Sequence, residues 1–442
     1  MRYEKYKQTG TKWITSIPVS WDMQKIGALF VQRKEKVSDK DFAPISVTKN
    51  GILPQLATAA KTDDGDNRKK VCVGDFVINS RSDRKGSCGV SDLKGSVSLI
   101  NIVLQPRDQL SGRYAHYLLR NHLFSEEYYR NGRGIVADLW TTRYSEMKTI
   151  LLPVPPHAEQ DQIVRYLDWQ VSKINRLIAA KRKQIALLKE HRTAKINQAV
   201  TTGIHCDTQL AYTGYNWLPY APANWNPVPA KALFRNITEL RRLDDSMLAA
   251  TQKYGLIEQT EYMRLEGRRI VLANDNLDKW LHTEPNDFII SLRSFQGGLE
   301  MCSKPGCVTW HYVVLRSQRN IYPDFYKWFF KSAAYIGALQ KTSDFIRDGQ
   351  DLRFSNFVKV GLFIIPMDEQ REIAEYLNRE ISKYDVAISN LEKQIDQITE
   401  LRTRLISDVV TGQIDVRGIE VPKHESVDDV VAESEAEELE VE

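Results

Sequence analysis

Apolar residues recur along two long stretches of this chain at alternating steps of three and four. In the later stretch they fall at Ile381, Tyr384, Ile388, Leu391, Ile395, Ile398, Leu405 and Val409, with Arg402 at the one charged step. Charged residues fill the positions between. A heptad seam of this kind predicts one long helix within 366–414. Subtracting 210 from those numbers gives Val171, Ile174, Ile178, Ile185, Leu188 and Ala199, with Lys181, Arg192 and Lys195 at the remaining steps. A second long helix is therefore predicted within 156–203. Both helices place an arginine at the same seam position, and both open on a proline-led run, "PVPPHAEQDQIVRYL" and "IIPMDEQREIAEYL".

The rest of the chain has a different texture. Short β-branched and aromatic runs ("DFVIN", "SLINIVL", "DFIIS", "VTWHYVVL") are bounded by Gly, Asp and Asn and read as strands. The segments "YAHYLLRNHLFSEEYYRN" and "DFYKWFFKSAAYIGALQKT" read as helices. Together they predict α+β globular units, each followed by a long helix.

These units are copies of one plan. "TGTKWITSIPVSW" from Thr9 matches "TGYNWLPYAPANW" from Thr213, and "SVTKNGILPQ" from Ser46 matches "ATQKYGLIEQ" from Ala250. "GDFVINSRS", ending at Ser82, returns as "NDFIISLRS", ending at Ser294. The offset changes only in turn-rich stretches, where insertions are tolerated. The expected organisation is a first head over 1–155, a helix over 156–203, a second head over 204–365, a helix over 366–414 and an acidic disordered tail over 415–442. Two equivalent heptad helices in one chain are expected to pair with each other, antiparallel because the connector is short. Leu391 and Leu405 are expected to cover the stems of Lys181 and Lys195, and Arg192 and Arg402 to fix alignment. Some 40 residues at 1.5 Å each make a rod of roughly 60 Å, with a pseudo-two-fold axis between the heads.

Length and composition are consistent with this plan: 442 residues suit two or three domains, and 42% apolar residues fill real cores. No apolar run reaches the ~20 residues that span a bilayer, and the N-terminus lacks a signal-peptide core. The expectation is a soluble, cytoplasmic protein. Five scattered cysteines point to reduced thiols rather than a disulfide framework. The net charge of +4 hides an asymmetry. From Arg417 onward ten acids face only Arg417 and Lys423, a local −8, which leaves +12 on the rest of the chain. A basic body suits a polyanionic partner. No P-loop, no H-E-x-x-H signature and no acid–base constellation is present, and "NWNPVP" at Asn224 reads as a turn. No metal site is predicted.

The two openings, the "SVTKNGILPQ" segment and the proline run into "EQ…I…YL" with its heptad helix resemble the specificity (S) subunits of type I restriction–modification systems. The resemblance covers nearly all of residues 1–415. It departs from the plainest family pattern where Met367 replaces a proline, and where the charged loops of the two copies diverge. It implies a non-catalytic subunit whose two target-recognition domains read the halves of a bipartite site in double-stranded DNA, asymmetric here because the loops differ. It also implies that the helices set the spacing and dock two adenine-N6 methyltransferase (M) subunits, and that the assembly recruits restriction/motor (R) subunits. No cofactor is expected on this chain; S-adenosylmethionine, ATP and Mg are expected on the partners.

Polar residues on turns beside glycines are the candidate DNA contacts. In the first copy these are Thr48, Lys49, Asn50, Arg81, Ser82, Arg84 and Lys85; in the second, Gln252, Lys253, Tyr254, Arg293, Ser294 and Gln296. Arg81 and Arg293 lead, since arginine reads guanine bidentately or clamps a phosphate. Trp13, Trp21, Trp217 and Trp225 read as core residues. Glu159, Gln160, Glu369 and Gln370, at the helix starts, are expected on the methyltransferase-facing surface. The competing reading is a coiled-coil scaffold with no sequence recognition; an enzyme with an unrecognised site is a third.

Overall fold

The computed structural model describes residues 2–56, 64–134, 140–251, 254–267, 276–292, 294–342 and 352–424. Two compact units account for it. One comprises Met1–Gln184 with Leu391–Glu442, the other Ile185–Asn390. Each long helix, His157–Thr202 and Met367–Val410, therefore contributes one part to each unit.

In the first unit a four-stranded antiparallel sheet runs in the order Cys88–Val90, Phe76–Asn79, Asn101–Pro106, Phe30–Gln32. Its strand Phe76–Asn79 is buried throughout because both faces are covered. Phe76 and Ile78 point into a large core with Ile102, Leu104, Tyr114 and Leu118, while Val77 joins Ile45, Val71, Val97 and Val103 on the other side. The second unit repeats the device. Phe288 and Ile290 pack with Leu315 and Phe330, and Ile289 packs with Leu248, Val308 and Val314. In each head a hairpin lies against this second, smaller core: Ile45–Thr48 with Gly51–Pro54, and Leu248–Thr251 with Gly255–Glu258.

One aspartate pins each central strand. Asp75, 1% exposed, accepts two hydrogen bonds from Arg33, at 2.7 and 3.0 Å. Asp287, also 1% exposed, accepts two from Arg316, both at 2.8 Å. Each aspartate also caps its own turn, through the backbone N–H of Cys72 and of Glu284.

Strands at the head entrances pair with strands leading into the long helices: Asp22–Lys25 with Leu151–Val154, and Asn226–Val228 with Leu362–Ile364. The "NWNPVP" stretch is thus a turn at Asn224 followed by an edge strand. Both long helices end on Thr-Gly, with Gly203 at φ +80 and Gly412 at φ +74. That left-handed conformation closes a helix C-terminus with little strain only in glycine. A Cβ at Gly412 would also lie 2.4 Å from Pro18 Cδ.

The expected tail boundary at 415 needs correction. Val416 is fully buried in the first unit, Ile419 and Val421 pack beside it, and Gln162 Nε2 donates to the carbonyls of Val416 and Ile419. The chain stays docked because these three apolar residues cover the start of the first long helix. Residues 425–442 lie outside the described residues.

A buried imidazole in the second head carries a pH prediction. His282, 1% exposed, has Nδ1 2.9 Å from both Asp245 oxygens and Nε2 2.8 Å from Glu284 Oε1. Burial pulls its pKa down, but the bonds to Glu284 and Asp245 outweigh burial and nearby Arg242, and the net shift is upward. Its contribution to stability is full below the unfolded value near 6.5 and disappears as pH rises through the raised folded value. The stability gap between the native chain and His282→Gln should therefore shrink as pH rises above about 6.5. A gap that widens with rising pH on thermal denaturation would contradict this assignment.

Candidate nucleic-acid interface

The repeated Glu-Gln at the helix starts is the joint between head and helix. Trp21 Nε1 and Trp225 Nε1 each donate to a glutamate oxygen, Glu159 Oε1 and Glu369 Oε1, both at 2.9 Å. The adjacent glutamines hold head backbone. Gln160 Oε1 accepts from Ser111 N–H and Gln370 Oε1 from Tyr322 N–H, both at 2.8 Å, while their amides donate back to Pro155 and Ile365 carbonyls. Glu159, Gln160 and Gln370 are buried, and Glu369 is half-buried. The expectation of a partner-facing surface is thereby overturned for Glu159, Gln160 and Gln370, whose polar atoms are turned inward to satisfy a buried indole and buried backbone, while Glu369 keeps Oε2 at the surface, where it accepts from Asn224 at 2.8 Å. Trp13, Trp21 and Trp225 are buried and Trp217 half-buried, each among other aromatic rings.

Along the helices every seam position is at least half-buried: Val171, Ile174, Ile178, Ile185 and Leu188 on the first, Ile381, Ile388, Leu391, Ile395, Ile398 and Leu405 on the second. Within each unit the two helical parts touch in an antiparallel sense. In the first, Arg402 donates to Asn175 Oδ1 at 2.7 Å and Lys181 to Gln394 Oε1 at 2.6 Å. In the second, Arg192 donates to Asp385 Oδ1 at 2.9 Å, and Lys195 lies 3.6 Å from Glu380 and above the Tyr376 ring. Asn175 and Asp385 are equivalent positions, as are Arg402 and Arg192, so the same cross-helix contact is made twice. The lysine ammonium groups are satisfied by polar partners on the facing helix.

The candidate DNA contacts sit on two turns of the first head. At the hairpin tip, Thr48 Oγ1 donates to the Gly51 carbonyl at 3.0 Å and accepts from Asn50 N–H. Thr48 is thus engaged in forming the turn, which leaves Lys49 and Asn50 exposed beyond it. The second hairpin is closed the same way by Thr251 and Gly255. The other turn spans Arg81–Gly86. Its backbone is held from below by Tyr129, whose buried hydroxyl shares its one hydrogen between the carbonyls of Asn79 and Arg84, at 3.3 and 3.2 Å, and by the Ser82 N–H bond to the Trp140 carbonyl. Arg81, Arg84 and Lys85 project into solvent, Lys85 beside Glu126, while Ser82 is half-buried. Tyr129 gave no signal in the sequence beyond a helical period, because its role depends on a partner 45 residues away.

Thr48 and Lys49 of the first turn and Asp83 and Arg84 of the second line one open cleft of about 840 Å³, together with Asp64, Asn67, Asn79, Ser98 and Asn101, whereas Asn50, Arg81 and Lys85 lie outside its lining. A rigid sheet carrying cationic and amide side chains around a concavity is suited to phosphate contacts with base-edge hydrogen bonds beside them.

In the second head Gln252, Lys253 and Arg293 lie outside the described residues. Tyr254 is half-buried, its hydroxyl donating to Glu266, and Gln296 is exposed. Ser294 is a correction: it is 1% exposed and its Oγ accepts from Ser291 N–H at 2.8 Å, so it caps its own turn and does not face a ligand.

No family model matches this chain, and no curated protein matches it significantly. Solved structures do. A chain from a structure describing complex assembly and conformational transition of the type I R-M system aligns with a TM-score of 0.59 at 14% identity, over 90% of this chain and 99% of that one. This chain shares that fold. The HsdS subunit from Thermoanaerobacter tengcongensis aligns with a TM-score of 0.46 at 16% identity, over 90% of this chain and 98% of its own. The type I restriction-modification S subunit from M. genitalium gives 0.35 at 15% identity, over 92% and 99%. Among the described residues no helix is long and apolar enough to cross a membrane.

Proposed function

We propose that this chain is the sequence-recognition subunit of a type I restriction–modification complex, each head reading one half of a bipartite DNA site. The observation that carries the reading is the duplication of one assembly. In both copies a Trp–Glu–Gln joint fixes a head to a helix, and an equivalent arginine contact ties that helix to its partner. The fold shared with a type I R-M structure supports the same conclusion.

On this reading the helix pair is an antiparallel coiled coil that sets the distance between the two half-sites and docks two methyltransferase subunits. Lys49, Arg84 and Lys85 supply phosphate contacts, and Arg81 and Asn50 are the base-edge readers of the first half-site. The second head reads different bases, since "KNG" in the first hairpin tip is replaced by "KYG" in the second. The chain performs no bond chemistry; methyl transfer and ATP-driven cleavage belong to the methyltransferase and restriction subunits.

Selection from randomised duplexes with the assembled complex tests this. A two-part, asymmetric motif is expected, and Arg81→Ala should relax one half only, by about 1–3 kcal/mol at the affected base. A selection that returns no motif would instead favour a scaffold.

A further inference from the structure

A second cavity, of about 400 Å³, lies within the first unit where the hairpin tip, the head helices and both long helices meet. It is within the size range of pockets that hold a small molecule. Four permanent cations contribute to its wall, Lys49, Arg113, Arg120 and Arg402, against the carboxylates of Asp92 and Asp168. Asp168 is already held by Arg113 at 2.8 Å and the Tyr117 hydroxyl at 2.6 Å. The surplus is positive.

Two further features point the same way. Asn121 lines the pocket, is 4% exposed, and its amide Nδ2 has no hydrogen-bond partner. A buried donor without an acceptor is costly, on the order of 1–3 kcal/mol. Asn121 is also the N-cap of the nine-residue helix His122–Arg130, which has no acidic residue in its first turn. The positive end of that helix therefore meets the pocket without a compensating carboxylate. His116, beside Arg120 at 2.9 Å, is kept neutral by burial and by Arg120 and Arg113, its pKa lowered to about 3.

The second copy is not built this way. The positions equivalent to Arg113, Tyr117 and His122 hold Asp324, Trp328 and Ala333, and the Trp328 indole donates to Asn378 at 2.9 Å. The positions equivalent to Lys49, Arg120 and Arg402 keep a cation, as Lys253, Lys331 and Arg192, so what sets the first head apart is Arg113, Tyr117 and His122.

We infer that this pocket is a binding site for a phosphate-bearing ligand of nucleotide size, with Arg120 and His122 facing its phosphate and the Asn121 amide, buried directly behind them, turning to it as it binds. Because the lining comes from the head and from both long helices, an occupant would brace the first head against the helix pair. The phosphate has two possible sources: a free nucleotide, or the backbone of bound DNA. The second rests on the proposed recognition function; the first does not.

Calorimetric titration of the full chain with adenosine 5′-monophosphate, with adenosine as control, separates these. The test variant is Asn121→Ser with His122→Ala, since serine preserves the helix cap while removing the amide donor. If the source is a nucleotide, the native chain binds the monophosphate but not adenosine, and the variant binds at least tenfold more weakly. If the source is DNA, the monophosphate does not bind, and the assembled complex carrying the variant loses at least fivefold in duplex affinity with a shallower salt dependence. Unchanged affinity of the variant for both probes overturns the site, even where the native complex binds duplex normally. Monophosphate binding by a chain that never binds duplex would keep the site and remove the recognition function.

Discussion

Replacing Trp21 by alanine should destabilise the first unit by about 3–5 kcal/mol, the range for removing a large aromatic side chain from a core. Trp21 is fully buried, packs edge-on against Tyr3 at 5.9 Å between ring centroids, and donates to Glu159. The glutamate is held from both sides, since the Tyr3 hydroxyl also donates to Glu159 Oε1. Burial and the bond to Glu159 push the Tyr3 pKa upward, so that donor stays protonated through the physiological range. Trp21→Phe keeps much of the packing and removes one donor, and should cost about 1–3 kcal/mol. Chemical denaturation monitored separately for the two units is the appropriate measurement, because two units need not unfold together. A Trp21→Ala protein within about 1 kcal/mol of the native chain would mean that the joint contributes little. Glu159→Ala should likewise lower stability; weakened partner binding at unchanged stability would restore the surface role expected from sequence.

The second large effect concerns the helices. Removing Ile178–Gln184 together with Leu391–Gln397 deletes one heptad from each, at facing positions marked by the Lys181–Gln394 contact. The arginine contacts, Arg402 to Asn175 and Arg192 to Asp385, flank the deletion and are retained. On the proposed reading the heads approach by roughly 10 Å, about three base pairs of duplex. A shift of that size rotates the duplex by about 100°, so recognition should weaken as well as shorten. Deleting either heptad alone moves one arginine out of register and should lower stability in addition.

The helices were the most legible part of the sequence. Their period is local, so Ile178, Ile185, Ile381 and Leu405 could be placed on one seam without knowing what they touch. The duplication was equally open, because equivalent residues keep their order. What stayed hidden depends on partners distant in sequence. Asp75 and Asp287 are equivalent, yet one takes Arg33, just past the strand Phe30–Gln32, and the other Arg316, within the strand Val313–Ser317, so no fixed spacing announces the pair. Glu159 and Gln160 misled for a related reason: polar residues at a helix start usually face water, but here the head folds back over them. Ser294 looked like a turn residue for a ligand and is one for its own backbone. Arg81 and Arg84 could be singled out because they border a glycine turn, whereas the Tyr129 anchor beneath them could not.

The central claim is that two heads read two half-sites at a separation set by the paired helices. Sequencing of methylated adenines in cells carrying the native chain, and in cells carrying the matched heptad deletion, tests it most directly. The account predicts a bipartite, asymmetric motif with the native chain, and the same half-sites with a spacer about three base pairs shorter, methylated less completely, with the variant. Methylation of the native spacing by the variant, or a motif that is not divided in two, would contradict it.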